Sequence, residues 1–187
     1  MRIEYLSISG LAIIRPSVFE DSRGYFFESY NKQNFLDAGI VEEFIQSNQS
    51  LSQKGVLRGL HFQVPPFAQS KLVRVIKGSV LDVAVDIRKN SPTYGQHYST
   101  VLSEQNKAIF YVPVGFAHGF LTLENDTIFS YKCGNIYNKT SEQGIMWNDP
   151  ELGIEWGIEN PLVSAKDDLN PSLKEFDSPF NFSKKSI

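Results

Sequence analysis

A second cysteine is missing, which excludes an intramolecular disulfide: Cys133 is the only thiol in 187 residues. Its neighbours Lys132 and Gly134 supply no partner ligand for metal or redox work, so it reads as a small buried hydrophobe. Histidine is nearly as scarce. The three residues His61, His97 and His118 are far apart in the chain, whereas a metal-holding β-barrel needs clustered ligands, usually with two histidines close together. No metal site is expected. Long apolar runs are lacking too: none approaches the roughly 18 residues of a spanning helix, and the opening MRIEYLSISG has no apolar stretch of the kind a secretory signal carries. A cytoplasmic chain without membrane contact is the expectation. Positive charge is also in short supply. Against 21 Asp and Glu stand 18 Lys and Arg, a formal net charge of −3, which provides no footprint for nucleic acid.

What is present is strand and turn. The share of apolar residues, 41%, against 21% charged is that of an ordinary globular protein, and the length suits one domain over residues 1–187, with a polar tail from about residue 177 that should fray. Residues 71–87, KLVRVIKGSVLDVAVDI, read as two strands joined at Lys77-Gly78-Ser79. In the second, Leu81, Val83, Val85 and Ile87 share one face and Val80, Asp82, Ala84 and Asp86 the other. One face therefore carries acids and should line a cavity. Further strands are expected at 12–16, 25–30, 45–50, 98–102, 108–112, 119–123 and 127–135. The Gly, Pro, Asn and Ser between them argue for a closed or double-layered antiparallel fold, a jelly roll. Helix is expected only in NKQNFLDAG, with Asn31 as cap and Gly39 as stop, and at 172–176.

Several polar residues are at odds with apolar surroundings, which is where function tends to sit. FEDSRGYFFE contributes Arg23 and Glu28, QSNQS Gln46 and Asn48, LRGLHFQ Arg58 and His61, and QSKLVRV Lys71. PVGFAHGF adds His118, SYKCGNIY adds Tyr131 and Tyr137, and VSAKDD adds Lys166 and Asp167. Singly, each has a plain structural reading, such as a surface pair, a turn residue or a packed aromatic. In this order and spacing, together with IMWNDPELGIEW, they resemble the dTDP-4-dehydrorhamnose 3,5-epimerases, metal-free cupins of the dTDP-L-rhamnose pathway. The resemblance covers about residues 3–171.

That resemblance implies an all-β cupin-type jelly-roll barrel of antiparallel strands with a few short helices, working as a homodimer that inverts C3 and C5 of dTDP-4-dehydro-6-deoxy-D-glucose. It puts the catalytic base on His61, the proton donor on Tyr131 and the carboxylate that orients the base on Asp167. Substrate contacts fall on Arg23, Glu28, Gln46, Asn48, Arg58, Lys71, His118, Glu142 and Lys166, with Tyr137 stacking on the thymine. One departure is Ser70, where a glycine is usual before the lysine.

Elementary chemistry supports those roles. Epimerising a carbon beside a ketone needs a base on one face, an acid on the other and stabilisation of the enolate between. Histidine, with a reference pKa of about 6.5, is largely neutral at working pH, and a nearby cation such as Arg58 should keep it so. Its orienting acid is Asp167 by resemblance and Asp82 by strand register. Lys71 could neutralise the enolate oxygen, and Arg23, Arg58 and Lys166 supply the cations that a nucleoside diphosphate requires. No cofactor is called for, because the substrate's own ketone acidifies both carbons. A single-centre epimerase or ketoisomerase on a related nucleotide sugar remains an alternative, as does a sugar-nucleotide-binding cupin without turnover.

Overall fold

Strands dominate the computed structural model, which describes residues 1–183. In chain order they are β1 (Arg2–Tyr5), β2 (Ala12–Arg15), β3 (Val18–Asp21), β4 (Gly24–Phe27), β5 (Gln46–Ser52), β6 (Leu57–Gln63) and β7 (Lys71–Lys77). There follow β8 (Ser79–Asp86), β9 (His97–Ser103), β10 (Ile109–Val112), β11 (Phe116–Thr122), β12 (Thr127–Cys133) and β13 (Glu142–Gly144). A single α-helix is described, α1 (Lys32–Asp37); Asn31 caps it through hydrogen bonds from the Gln33 and Asn34 amides, as its sequence predicts. No helix among the described residues is long and apolar enough to cross a membrane.

One antiparallel sheet runs β1-β2-β10-β7-β12-β5 and a second runs β13-β6-β11-β8-β9, while β3 and β4 form a separate hairpin. No ladder joins the two large sheets among the described residues, so the jelly roll takes its double-layered form. Residues of both sheets meet in one core, among them Val73, Val80, Ala84, Leu102, Phe110, Phe120 and Phe129. The outer face of the five-stranded sheet is also covered. Leu57, Leu60, Val83, Val85 and Leu121 pack there against Ile145, Leu152, Trp156 and Phe180, and α1 covers the other sheet through Phe35 on Ile14 and Leu72.

Alternation in β8 explains this layering: Val80 and Ala84 enter the inner core and Val83 and Val85 the outer one. The acids on the inner side are fully buried and must be partnered. Asp82 meets His118 at 2.8 Å. Asp86 accepts hydrogen bonds from Arg88 Nε (2.8 Å) and Nη2 (2.7 Å), Ser91 Oγ (2.6 Å) and Thr93 Oγ1 (2.7 Å). The Arg88 guanidinium in turn lies between the rings of Phe116 and Phe182.

Three sequence expectations are corrected. Residues 172–176 form a turn, held by the Ser172 amide and hydroxyl on the Glu175 carboxylate, because two donors on one acid close a loop without a helical ladder. The tail does not fray over residues 177–183: Ser178 and Phe180 are buried and the Phe182 amide donates to Lys89, since an apolar ring outweighs the polar composition around it. The rest of that tail, 184–187, lies outside the described residues. Finally, β6 was not among the expected strands, although it carries the histidine on which the site is built.

Candidate active site

β6 owes its place to a glycine. At φ +144, Gly59 lies so close to β11 that an added Cβ would sit 2.6 Å from the Gly119 Cα. Only a residue without a side chain allows this approach. It puts His61 and His118 in register across the two strands, and both look into one cavity of about 440 Å³, an ordinary size for a small-molecule site. Arg58, Lys71, Tyr131, Glu142, Lys166 and Asp167 line the same cavity, with Phe120 and Phe129 as an apolar wall.

Each histidine has its own acid. His61 Nε2 lies 2.6 Å from Asp167 Oδ1, and His118 Nε2 lies 2.8 Å from Asp82 Oδ1. Of the two acids considered for His61, the geometry selects Asp167. Burial pushes the Asp167 carboxyl up, but the His61 contact, the Gly59 amide and Ser164 outweigh it and hold the group below its ordinary value. An ionised Asp167 can only accept, so His61 turns an Nε2–H toward it. Burial pushes His118 down against the pull of Asp82, with Lys71 and His61 adding to the fall. That residue is a neutral hydrogen-bonding group.

Lys71 opens β7 and its Nζ donates to the His61 carbonyl at 3.3 Å. Burial lowers its pKa while Cys133, Asp82 and Glu142 pull the other way. Burial also raises the Tyr131 phenol, with Cys133 adding to the rise and Asn48 and Arg58 opposing it, so this side chain holds its proton at neutral pH. At the rim, Glu142 accepts from Lys166 Nζ (2.5 Å) and from Tyr137 Oη (2.9 Å). Burial pushes that carboxyl up, and these two contacts more than offset it. Among the described residues no three His, Cys, Asp or Glu side chains gather as metal ligands.

A histidine held by an acid, a buried phenol and several cations around one pocket are groups suited to proton transfer on an anionic substrate. The family model for dTDP-4-dehydrorhamnose 3,5-epimerase matches residues 5–175. The chain belongs to this epimerase family. A Shigella flexneri dTDP-4-dehydrorhamnose 3,5-epimerase is 50% identical over 168 residues, 89% of this chain and 93% of the relative. The Legionella pneumophila 3,5-epimerase, solved in complex with dTDP-4-keto-L-rhamnose, is 43% identical with a TM-score of 0.93 and covers 97% of this chain and 98% of its own. A 3′-monoepimerase from Streptomyces bikiniensis, in complex with dTDP-quinovose, is 32% identical with a TM-score of 0.85 over 90% of this chain and 86% of its own.

Not every residue suggested for the epimerase site reaches the cavity. Gln46 and Asn48 stand beside it on β5, and Tyr137 sits at the rim, its amide bonded to Gln46 Oε1 at 2.8 Å. Arg23 and Glu28 are elsewhere: Arg23 is exposed at the hairpin tip and paired with Asp21 at 2.5 Å, while Glu28 accepts from Asn31 and Asn34 near α1. Within one chain the β3–β4 hairpin pairs with neither large sheet, so nothing carries these two to the pocket. Sequence reasoning missed Ser50 and Ser164, which line the cavity, and Ser52, whose hydroxyl accepts from Arg58 Nε at 3.2 Å. Ser164 did leave a signal. Ser164 to Asp167 is a Ser-x-x-Asp turn in which the Ser hydroxyl accepts the Asp167 amide at 3.1 Å.

Proposed function

We propose that this epimerase inverts both C3 and C5 of dTDP-4-dehydro-6-deoxy-D-glucose, with His61 as the base, Asp167 as its orienting acid and Tyr131 as the proton donor. The observation that carries the reading is the 2.6 Å contact of His61 with a buried Asp167 in a cavity that Tyr131 also lines. The C–H bond beside the ketone breaks, its proton passes to His61 Nδ1, and the electron pair moves to the ketone oxygen as an enolate. A buried Lys71 ammonium favours that oxyanion more than a solvated one would. The Tyr131 hydroxyl then gives a proton to the opposite face of the carbon, and both groups recover their starting states by exchange with solvent. Arg58 and Lys166 answer the charge of the diphosphate.

Turnover in deuterium oxide tests this reading. Mass analysis of the sugar should find solvent deuterium at both C3 and C5, whereas uptake at one carbon would shift the chain to the single-centre reaction of its 3′-monoepimerase relative. No exchange at all would leave a binding protein.

The position of Arg23 and Glu28 bears on assembly. Phe19 (66% exposed), Tyr25 (57%) and Phe26 (70%) surround Arg23 on the unpaired hairpin, and β5 is a free sheet edge; both are surfaces that a second copy would cover. A homodimer in which each hairpin reaches the other copy's nucleotide is expected to scatter light at twice the chain mass of 21.2 kDa. A fully active monomer would reject it.

A further inference from the structure

The motif LRGLHFQ ends in a side chain that the pocket does not use. Gln63 closes β6 just beyond His61 and is no part of the cavity wall. It is 4% exposed, and a primary amide buried to that degree must find partners for both N–H groups and for its carbonyl. All of them are found: Nε2 donates to the carbonyls of Phe67 at 2.7 Å and Ile136 at 3.1 Å, and Oε1 accepts the Asn138 amide at 2.7 Å. The partners also fix the orientation of the group, since a flipped amide would set its oxygen against two carbonyls and its nitrogen against an N–H.

Ile136 and Asn138 stand on either side of Tyr137, whose own amide goes to Gln46 Oε1 at 2.8 Å. The Tyr137 phenol donates to Glu142 at 2.9 Å, and Glu142 lies directly opposite Gln63 in the β6–β13 pairing. Backbone and side chain of Tyr137 are thus tied to the same end of β6. Beyond it, Asn138 Oδ1 accepts the Thr140 and Ser141 amides, both at 3.1 Å, in a turn that leads into β13, and the Val64 amide donates to the Ser141 carbonyl at 2.8 Å. The ring itself stays 54% exposed at the rim. Anchored at its backbone and at its phenol, it meets a flat base without first losing freedom of its own.

We propose that Gln63 is the positioning residue of the base-binding rim: by clamping the residues before and after Tyr137 it presets that ring for the nucleobase. Affinity for the nucleotide is then set in part from the strand that carries His61. Gln63 acts through Tyr137 and not on the substrate itself. The inference rests on the thymine contact that the family resemblance gives Tyr137. Stacking on an aromatic ring rewards a ring already in place, because each rotor frozen on binding subtracts from the affinity.

Affinity for dTDP, by calorimetry, and turnover at saturating substrate test the clamp together. Gln63→Met keeps the length of the side chain and removes its hydrogen bonds to Phe67, Ile136 and Asn138. Its Kd for dTDP should rise about tenfold, the order of one hydrogen bond, while kcat stays within about twofold, so that the loss appears in KM. Tyr137→Ala supplies the other arm of a double-variant cycle. Alone it should raise the Kd about tenfold or more; in its background Gln63→Met should add less than about twofold, because the ring that the clamp serves is gone. A glutamine with a merely structural role would weaken binding equally in both backgrounds. The wild-type protein gives a reading that needs no variant to fold: in hydrogen exchange followed by NMR, the Asn138 amide should be protected like those of β6 before any ligand is added. An unchanged Kd in Gln63→Met, a fall in kcat with Kd kept, additive losses in the cycle, or an Asn138 amide protected only when dTDP is bound would each overturn the clamp. An unchanged Kd in Tyr137→Ala refutes the nucleobase contact, and the clamp with it, whereas a loss there without one in Gln63→Met removes the clamp alone.

Discussion

His61→Asn is expected to lose both inversion and deuterium uptake by about 10²- to 10⁴-fold, the range of a positioned general base. The substitution is chosen for what it leaves behind. Asparagine can still donate a hydrogen bond to Asp167, which would otherwise be a buried carboxylate without its 2.6 Å partner, so the pocket's charge balance suffers less than with alanine. Lys71, Arg58 and Lys166 remain, and affinity for dTDP should hardly move. What disappears is the ring nitrogen that takes the proton. Neither enolate then forms at a useful rate, and the two carbons should fail together. Retained exchange at C3 or C5 in this variant would show that another group is the base; His118 is a poor candidate, since Asp82 occupies its Nε2 at 2.8 Å and the residue is buried.

Where alternation was clean, the chain could be read directly. β8 shows its two faces in the order of its letters, but the acids of its inner face do not line the cavity: Asp82 reaches it only through His118, and Asp86 is taken up by Arg88, Ser91 and Thr93. β6 could not be read that way. Arg58, Gly59 and His61 interrupt its apolar residues, and Leu57, Leu60 and Phe62 are all buried, so neither a period of two nor a plain apolar run survives. The pairing of histidines with acids was equally hidden from local pattern: His61 with Asp167 came from the resemblance alone, and His118 with Asp82 from neither. It depends on β11 lying between β6 and β8, which brings His118 diagonally across from Asp82, and on a turn 106 residues downstream that returns Asp167 to His61. Local patterns hold no such long-range register. The motif resemblance supplied the residues of the pocket, yet it could not say that Arg23 and Glu28 would stand apart from it in a single chain, because their place depends on a hairpin that one chain leaves unpaired.

Tyr131→Phe should fail in a different manner from the histidine variant. Removing one oxygen leaves the ring, which packs near Phe129 at a centroid distance of 6.0 Å, so the cavity wall survives. His61, still held by Asp167, continues to open the C–H bond, and Lys71 still faces the enolate. With no hydroxyl on the far side, the enolate is quenched from the side of the base, and the carbon regains a hydrogen from solvent in its original configuration. The substrate should therefore gain deuterium while inverted product falls by about 10²-fold or more. The phenol must be protonated to act in this way, and the burial that raises its pKa keeps it so at neutral pH. Were Tyr131 instead to assist the base, or to stabilise the enolate oxygen, its loss would slow C–H opening itself, and exchange would drop in step with inversion. Mass spectra of recovered substrate and of product, taken from one reaction, separate these outcomes: deuterium in the substrate without inversion supports the two-face mechanism, and silence in both refutes it.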